Sequence, residues 1–327
     1  MKICVTGAAG FIGYHLVKRL LRDNHFVIGI DNLNNYYPPK YKSQRIQILK
    51  KDKKFKFKKV NLNHPKRLEE IFNQNKFDCI YHLASQPGIM YSFKNPKTYV
   101  QNNINATKNL INLTKKYLIK KFYFTSSSSV YGLKKKFPIN EKAILKPINI
   151  YAKTKLECEK ILRENFKFTE VDLKIFRPFT VYGPYGRPDM IFLTFLDKLS
   201  KKKDFYLFNN GNYVRDFTYV EDVAEIMALF LNKGILGNYI FNICSGHPLK
   251  IIDLISLIEK YIFKKAQIIK RPYRKGEMIK TYGDNQLLKK NIKFNDFTNI
   301  NDGIKKTIKW YINYKDKKSL VFNKIKY

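Results

Sequence analysis

The stretch from residue 2 to residue 13, Lys-Ile-Cys-Val-Thr-Gly-Ala-Ala-Gly-Phe-Ile-Gly, decides the fold of this 327-residue chain. Its first five residues are typical of a buried strand, and apolar residues at helical spacing follow as far as Arg22. Gly7, Gly10 and Gly13 fill the turn between the strand and the helix. A turn of this kind lets a diphosphate approach backbone N–H groups at the positive end of a helix. The stretch therefore predicts a dinucleotide site.

The residue that ends the next predicted strand, Phe26–Ile30, is Asp31. A carboxylate at this spacing from the glycine turn accepts hydrogen bonds from the adenosine ribose hydroxyls. It also repels a 2′-phosphate, so the pattern favours NAD over NADP as the cofactor. A glycine-rich turn with only a structural role is the alternative, and the strand–turn–helix setting argues against it.

Strands and helices continue to alternate after this first unit, which predicts a doubly wound parallel sheet of the Rossmann-like α/β class with helices on both faces. The predicted strands are Phe55–Val60, Cys79–Leu83, Phe122–Ser126 and Asp172–Phe176, and the predicted helices are Arg67–Asn73, Val100–Lys116 and Tyr151–Asn165. From Arg177 the pattern loosens, because prolines and glycines cluster there. We therefore expect residues 1–178 to form the dinucleotide-binding domain and residues 179–327 a smaller C-terminal lobe.

The formal net charge of +37 at pH 7 is the most unusual property of the composition. A basic excess of this size is typical of proteins that bind nucleic acid or membrane surfaces. The lysines are spread along the whole chain in short runs, however, and asparagine, isoleucine, tyrosine and phenylalanine are abundant. This pattern favours a bias of A- and T-rich coding DNA over a dedicated surface. Nucleic-acid binding stays open as an alternative, which retention on heparin in physiological salt would reveal.

The cysteines and the hydrophobic pattern limit the remaining classes of protein. Cys4, Cys79, Cys158 and Cys244 form no C-x-x-C pair and have no histidine at ligand spacing, so we expect free buried thiols and no metal site. No apolar run approaches the length of about 20 residues that a membrane-spanning helix needs. The first residues run directly into a strand and lack the layout of a secretory signal. We expect a cytoplasmic protein that has no membrane contact.

A second group of chemistry-bearing residues lies in the segment Tyr-Ala-Lys-Thr-Lys at 151–155. Tyr151 and Lys155 share one face of a predicted helix, so the ammonium group lies near the phenol. We expect this proximity, together with a positively charged nicotinamide, to lower the pKa of Tyr151. Four serines at 126–129 follow a parallel strand at its carboxyl end, where such sheets bind ligands. A solvated helix face or a hydroxyl-rich turn would explain either feature alone but not the set.

These motifs resemble the extended short-chain dehydrogenases/reductases of the NAD-dependent epimerase/dehydratase family. The resemblance covers essentially the whole chain and includes the glycine turn, Ser-Ser-Ser-Ser-Val-Tyr-Gly at 126–132 and Arg-Asp-Phe-Thr-Tyr at 215–219. Within the family, Asp-Asn-Leu-Asn-Asn-Tyr-Tyr at 31–37 and Gly-Arg-Pro-Asp-Met at 186–190 resemble the UDP-glucuronate 4-epimerases. The resemblance implies reversible, NAD-dependent inversion of UDP-glucuronate at C4 through a transient 4-keto sugar. It also implies that the C-terminal lobe binds the nucleotide sugar and that a segment at about 216–243 returns to the first domain.

The same resemblance implies roles for individual residues. Ser127 hydrogen-bonds the 4-oxygen of the sugar, Tyr151 is the base, and Lys155 orients Tyr151 and contacts the nicotinamide ribose. The other residues matched to the cofactor site are Gly7, Gly10, Phe11, Ile12, Gly13, Asp31, Asn32, Asn61, Leu62, Leu83, Ala84, Ser85 and Asn103. Besides Ser127, those matched to the substrate site are Ser128, Thr180, Arg187, Glu277 and the phosphate-binding pair Arg215 and Arg274.

The assignment of a uronate substrate rests on Thr180 and Arg187, which match positions that recognise the C6 carboxylate. A 4-keto uronate is a β-keto acid that readily loses carbon dioxide, so an epimerase must hold this carboxylate in an unproductive orientation. Three residues depart from the family pattern. Met90 stands where close relatives carry arginine, Asn61 where an aspartate is expected, and Pro178 where an aromatic residue is usual.

Other reactions of the family need acidic residues that this chain lacks. A 4,6-dehydratase has an acid pair directly after the catalytic hydroxyl residue, and a uronate decarboxylase has a glutamate at position 129, whereas this chain has Ser128 and Ser129. A 4-epimerase for UDP-glucose and UDP-galactose stays open, with Arg187 as the discriminating residue. An inactive family member that binds nucleic acid also stays open. The resemblance further implies a homodimer formed by the helices at 100–116 and 151–165.

Overall fold

The protein, described here by a computed structural model for residues 1–274 and 276–315, contains a central sheet of seven parallel strands. In chain order, the strands of all sheets in the described residues are β1 Lys2–Thr6, β2 Phe26–Asp31, β3 Phe55–Lys59, β4 Cys79–His82, β5 Lys121–Thr125, β6 Asp172–Pro178, β7 Thr180–Tyr182, β8 Phe205–Phe208, β9 Val214–Tyr219, β10 Tyr239–Ile243, β11 Pro248–Lys250 and β12 Ile268–Arg271. The order across the central sheet is β10-β6-β5-β4-β1-β2-β3. The predicted doubly wound α/β class is confirmed.

Twelve α-helices are found among the described residues. They are α1 Phe11–Arg22, α2 Lys40–Leu49, α3 Pro65–Asn73, α4 Ile89–Lys94, α5 Pro96–Tyr99, α6 Ala106–Lys116, α7 Ile150–Phe166, α8 Ile191–Ser200, α9 Val220–Asn232, α10 Ile251–Ile262, α11 Gln286–Ile292 and α12 Ile300–Lys315. The segment Val100–Asn105, predicted as the start of one long helix, is a π-helix that leads into α6. A short 3₁₀-helix at Ser128–Tyr131 follows β5.

Helices cover both faces of the central sheet, as parallel strands buried on two sides require. On one face, apolar residues of α1, α2, α9 and α11 pack on the strands in a single cluster. On the other face, α3, α6 and α7 form the second cluster. These layers leave the carboxyl ends of the strands as the edge where loops can assemble a site.

The C-terminal part of the chain contains two small sheets and one further core. In the first small sheet β9 lies between β7 and β11, and in the second β8 pairs with β12. Side chains of α8, α10 and α12 pack around them. The residues between β9 and β11 pack on the first part of the chain instead, since α9 packs on α1 and β10 pairs with β6 in the central sheet. A lobe boundary near residue 178 stays a proposal, and its predicted end at residue 327 lies outside the described residues.

The structure adds three findings on the remaining composition-based expectations. All four cysteines are free and buried. Within residues 1–274 and 276–315, no group of histidine, cysteine and acidic side chains is arranged to hold a metal ion. None of the helices in those ranges is both long and apolar enough to cross a membrane.

Candidate active site

A cleft lies along the carboxyl edge of the central sheet, between the loops that follow β1 to β6 and the loop after β7. Most residues assigned to the site from the sequence line it. These are Gly7, Gly10, Phe11, Ile12, Gly13, Asp31, Asn32, Asn61, Leu62, Leu83, Ala84, Ser85, Ser127, Tyr151, Lys155 and Arg187. Pro178 also lines the cleft, whereas Met90 on α4 is 41% exposed. The fold therefore brings the predicted cofactor residues and the predicted catalytic residues into one cavity.

The glycine turn has the close packing that a diphosphate-binding loop requires. Gly7 has φ +72°, and a Cβ atom there would lie 2.7 Å from the amide nitrogen of Ala84. A Cβ atom at Gly13 would lie 2.1 Å from the carbonyl oxygen of Gly7. The helix α1 begins after Gly10, and within the described chain no side chain caps it there. Its N-terminal N–H groups thus face the cleft without a side-chain competitor, which fits a diphosphate.

Asp31 ends β2 at the rim of the same cleft. Its carboxylate accepts hydrogen bonds from the backbone N–H of Ala9 (3.2 Å) and of Leu33 (2.8 Å), so the glycine turn and the β2 loop fix its position. The pKa of Asp31 is raised, because the effect of burial outweighs that of the nearby charge of Lys42, which lowers it. A fixed acidic group at the end of the second strand fits the ribose of a dinucleotide.

Lys42 is a cleft residue that the sequence pattern missed. It is 5% exposed, and its Nζ donates to the carbonyl oxygen (2.8 Å) and the side-chain oxygen (2.6 Å) of Asn34. Because it lies near Asp31, Lys42 brings a positive charge to the cofactor end of the cleft. A motif search could not find it, since it lies on α2, a helix that the sequence analysis did not predict.

Ser127 directly precedes the 3₁₀-helix, and Ser129 fixes the position of its hydroxyl. Ser127 Oγ accepts from the backbone N–H (3.2 Å) and from Oγ (2.8 Å) of Ser129. Ser127 also lies close enough to Tyr151 to lower the pKa of its phenol. Ser126 donates to Glu159, which forms a buried ion pair with Arg177 (2.6 Å). Ser126 and Ser127 therefore both line the cleft, and Ser129 fixes the hydroxyl of Ser127.

Lys155 of α7 lies at the wall of the cleft and is almost completely buried. Lys155 is 2% exposed, its Nζ donates to the carbonyl oxygen of Thr125 (2.7 Å), and it lies 4.8 Å from the ring centroid of Phe124. Burial lowers the pKa of Lys155 to about 8, although Cys158 and Glu159 oppose the shift. The ammonium group is therefore aimed at the end of β5, beside the serine segment.

The protein groups around Tyr151 together raise its pKa. Burial raises it, and the nearby side chain of Ser127 and the positive charge of Arg187 offset only part of the rise. Without NAD, desolvation of the phenolate outweighs these contacts. The expectation of a lowered pKa included the positively charged nicotinamide, so it stays a prediction for the protein with NAD bound. Arg187, which lies far away in the sequence, takes the part in this balance that the spacing assigned to Lys155.

Asn103 lies behind the cleft rather than on its wall. It is 1% exposed, its Nδ2 donates to Thr154 Oγ1 (2.9 Å), and its Oδ1 accepts from the backbone N–H of Gln86 (2.7 Å). These contacts join the π-helical segment to α7 and to the loop after β4. Asn103 thus braces the elements that carry Tyr151 and the predicted cofactor residues 83–85.

Arg187 enters the cleft from the loop after β7 and already has a partner. Its Nε and Nη2 donate to the two carboxylate oxygens of Asp189 at 2.9 and 3.1 Å. Burial alone would lower the pKa of Arg187, but Asp189 outweighs it and the pKa is raised. The hydroxyl of Tyr36 donates to the same carboxylate (2.9 Å). The positive group predicted to meet a substrate carboxylate is therefore held in a defined orientation.

Five of the predicted substrate residues do not line this cleft: Ser128, Thr180, Arg215, Arg274 and Glu277. Ser128 is buried in the 3₁₀-helix, and Thr180 lines a small neighbouring cavity that shares Phe11, Val181 and Met190 with the cleft. The other three lie in the C-terminal part of the chain, beyond the cleft wall.

Arg215, Arg274 and Glu277 gather around Tyr213. The backbone N–H of Arg274 donates to the Tyr213 hydroxyl (2.9 Å), and the guanidinium of Arg215 lies 5.1 Å from its ring centroid. Arg274 also pairs with Glu277 at 3.1 Å. The segment is close to the start of α7, since Asn149 Nδ2 donates to the carbonyl of Gly276 (3.5 Å). Arg274 and Glu277 therefore flank a residue that contacts the N-cap of the helix that carries Tyr151.

The chain and its structure are similar to known nucleotide-sugar epimerases. A UDP-glucuronate 4-epimerase of Thermodesulfobacterium geofontis is 34% identical over 307 residues, which are 94% of this chain and 94% of that protein. The crystal structure of a Bacillus cereus UDP-glucuronic acid 4-epimerase in complex with UDP-glucuronic acid and NAD matches with a TM-score of 0.89 at 33% identity, over 96% of this chain and 100% of that one.

The similarity extends to an enzyme for a neutral sugar. A Thermotoga maritima UDP-glucose 4-epimerase with UDP-glucose matches with a TM-score of 0.88 at 28% identity, over 96% of this chain and 99% of that one. The profile of the NAD dependent epimerase/dehydratase family matches residues 3–244, the range that contains the glycine turn, the serine segment and Tyr151 with Lys155. The chain belongs to the NAD dependent epimerase/dehydratase family.

Proposed function

We propose that this protein inverts the C4 centre of UDP-glucuronate to give UDP-galacturonate, with NAD as a resident cofactor. The observation that carries the proposal is that Arg187 lines the same cleft as Ser127, Tyr151 and Lys155. A guanidinium group within reach of the catalytic hydroxyls suits a sugar that carries a carboxylate at C6. The similar Bacillus cereus enzyme, solved with UDP-glucuronic acid and NAD, supports the assignment.

The residues that would hold the cofactor are those of the glycine turn, Asp31 and the segment 83–85. When bound, NAD would supply the hydride acceptor for oxidation at C4 and the hydride donor for the return step. The chain supplies the proton chemistry: Tyr151 takes the proton of the 4-hydroxyl and later gives it back. Ser127 accepts from Ser129, so its own proton can be donated to Tyr151 or to the sugar 4-oxygen. Lys155, fixed on the Thr125 carbonyl, adds a positive charge beside them.

Arg187 has a second task in this reaction. The 4-keto uronate loses carbon dioxide only when its carboxylate aligns with the ketone, so a guanidinium that holds the carboxylate protects the intermediate. The ion pair with Asp189 and the contact of Asp189 with Tyr36 restrict how far Arg187 can move. Thr180 in the adjoining cavity is the proposed second contact for the carboxylate.

A second candidate is 4-epimerisation of a neutral sugar such as UDP-glucose. It is favoured by the same Arg187–Asp189 pair, because a guanidinium already matched to a carboxylate gains less from a second one. A screen of purified protein against UDP-glucuronate, UDP-glucose and UDP-N-acetylglucosamine separates the two candidates. The proposal requires that UDP-glucuronate has the largest kcat/KM, and equal turnover of UDP-glucose would refute the uronate assignment while an epimerase remained.

The dinucleotide released from purified, denatured protein should be NAD or NADH, without a 2′-phosphate. The fixed carboxylate of Asp31 repels such a phosphate, although the charge of Lys42 acts in the opposite sense. Mass spectrometry of the released nucleotide decides the matter. Recovery of NADP would mean that Lys42 rather than Asp31 determines cofactor choice.

We expect a homodimer in solution, with α6 and α7 at the interface. The prediction rests on the family resemblance, and the two helices pack against each other in one layer. Light scattering at micromolar concentration should give a mass of twice 38.8 kDa. A monomer mass would contradict this assembly. A cytoplasmic location and the absence of nucleic-acid binding likewise stay predictions from the sequence.

A further inference from the structure

Two sequence segments that lie far apart in the chain meet beside the cleft. The loop 32–37 follows β2, and the loop 183–190 follows β7. Their direct contact is the hydrogen bond from the Tyr36 hydroxyl to Asp189, the residue that also pairs with Arg187. The loop that presents Arg187 is therefore attached to the side of the molecule that forms the cofactor site.

Arg45 on α2 makes a second and stronger connection. It is 1% exposed. Its Nη1 donates to the carbonyl oxygen of Ala9 and to the hydroxyl of Tyr37, both at 2.8 Å. Its Nη2 donates to the carbonyl oxygens of Tyr185 (2.6 Å) and Gly186 (3.1 Å). One guanidinium thus joins the glycine turn to the residue directly before Arg187.

The partners of Arg45 indicate a geometric role. Its four hydrogen-bond acceptors in the described part of the chain are neutral oxygens, so Arg45 forms no ion pair there, and the charge of Asp31 acts on it only without direct contact. Only the planar fork of arginine presents several donors in fixed directions, whereas lysine is a compact point charge. The side chain suits a clamp that must span two loops at once.

The loop before Arg187 is attached at successive carbonyl groups. His15 Nε2 lies 2.9 Å from the carbonyl oxygen of Pro184, and burial lowers the pKa of His15 to about 3, so the ring is neutral and donates from Nε2. The next two carbonyls accept from Arg45. Tyr185, whose carbonyl is the first of these two, has φ +58°, and its ring packs on that of Tyr14 with the centroids 4.7 Å apart. A loop with a left-handed tyrosine and so many attachments holds one conformation.

We propose that Arg45 is a positioning residue that couples the dinucleotide site to the substrate-carboxylate site by joining the carbonyl of Ala9 to the loop that presents Arg187. The proposal deepens the proposed function and rests on it for the identity of the sugar. Ordering of the glycine turn by NAD sets the position of Arg187 through Arg45. By linkage, UDP-glucuronate then tightens the binding of NAD by the same factor as NAD tightens the binding of UDP-glucuronate.

The test measures binding and does not depend on turnover. Calorimetry on cofactor-free protein with Tyr151→Phe, which stops the reaction, gives the Kd of NAD with and without saturating UDP-glucuronate. We expect UDP-glucuronate to tighten NAD about fivefold or more, the lower end of typical coupling. Adding Arg45→Lys should bring this factor close to one. Adding Arg67→Lys, a matched change at an exposed position of α3, should leave it intact.

The outcomes separate this proposal from the function on which it rests. Full coupling in the Arg45→Lys protein, or none in its parent, overturns the role of Arg45. Equal coupling by UDP-glucose and UDP-glucuronate contradicts the uronate assignment, and the effect of Arg45→Lys on that common factor still decides the clamp. Arg45→Met, which removes all four hydrogen bonds, is measured only after its melting curve shows a cooperative transition, and Arg45→Lys carries the test if it does not.

Discussion

Tyr151→Phe should lower kcat for the epimerisation by at least about a hundredfold, the usual scale for removal of a positioned acid–base group. The substitution deletes only the hydroxyl, and the ring keeps its place on α7 and its edge contact with Tyr99, at 6.3 Å between centroids. NAD should therefore remain bound. The comparison needs the rate, the released dinucleotide and the melting temperature of the same preparation.

The control for this variant is Tyr206→Phe. Tyr206 lies on β8, away from the cleft, and is 44% exposed. Loss of its hydroxyl should change neither rate nor cofactor content. Turnover of Tyr151→Phe within a fewfold of the wild type would remove Tyr151 from the mechanism.

Arg187→Ala should cost most against the uronate and little against a neutral sugar. Loss of a partly desolvated charge-assisted contact is worth about 1.5–3 kcal/mol, roughly a 10- to 150-fold fall in kcat/KM for UDP-glucuronate. UDP-glucose, which has no carboxylate, should change by much less. A UDP-pentose should also appear, because a freed carboxylate can align with the 4-ketone and leave as carbon dioxide.

This variant removes the cation that pairs with Asp189, so stability must be measured beside activity. Tyr36 still donates to that carboxylate, which limits the damage. The ratio of the two substrates within one preparation does not depend on the folded fraction. A parallel fall for UDP-glucose and UDP-glucuronate would contradict the role of Arg187 in carboxylate recognition.

The sequence predicts those parts of the site that are local in the chain. The glycine turn is recognisable because a strand, the turn and a helix follow one another within residues 2–22, and Tyr151 with Lys155 because they lie four apart on one helix. The observed boundaries of β1, β5 and α7 agree with the predicted boundaries to within one residue. Local patterns fix these elements since the physical constraints on them are local.

The helix α2 could not be predicted for an equally physical reason. Its buried face consists of Lys42, Arg45, Ile46 and Leu49, so half of the residues that point inward are charged. Hydrophobic periodicity cannot reveal a helix whose inner face binds carbonyl groups. The same helix supplies Lys42 to the cleft and Arg45 to the loop at 185–186, both of which were missed.

Contacts between distant segments account for the other differences. Arg187 pairs with Asp189, which is two positions away in the sequence. Tyr36, which donates a hydrogen bond to the same carboxylate, is 153 positions away from Asp189. The clustering of Arg215, Arg274 and Glu277 around Tyr213 likewise depends on how β9 meets the loop after β12. The local sequence of these segments does not predict such contacts, because they arise from the packing of the whole fold.

Inversion by transfer of the C4 hydride within the cleft is tested with UDP-glucuronate that carries deuterium at C4. Purified protein, without added cofactor, should convert it to UDP-galacturonate that retains the deuterium at C4, because the hydride leaves and returns within one closed cleft. Mass spectrometry and NMR of the product locate the label. Absence of UDP-galacturonate, or replacement of the deuterium by hydrogen from water, would contradict this account.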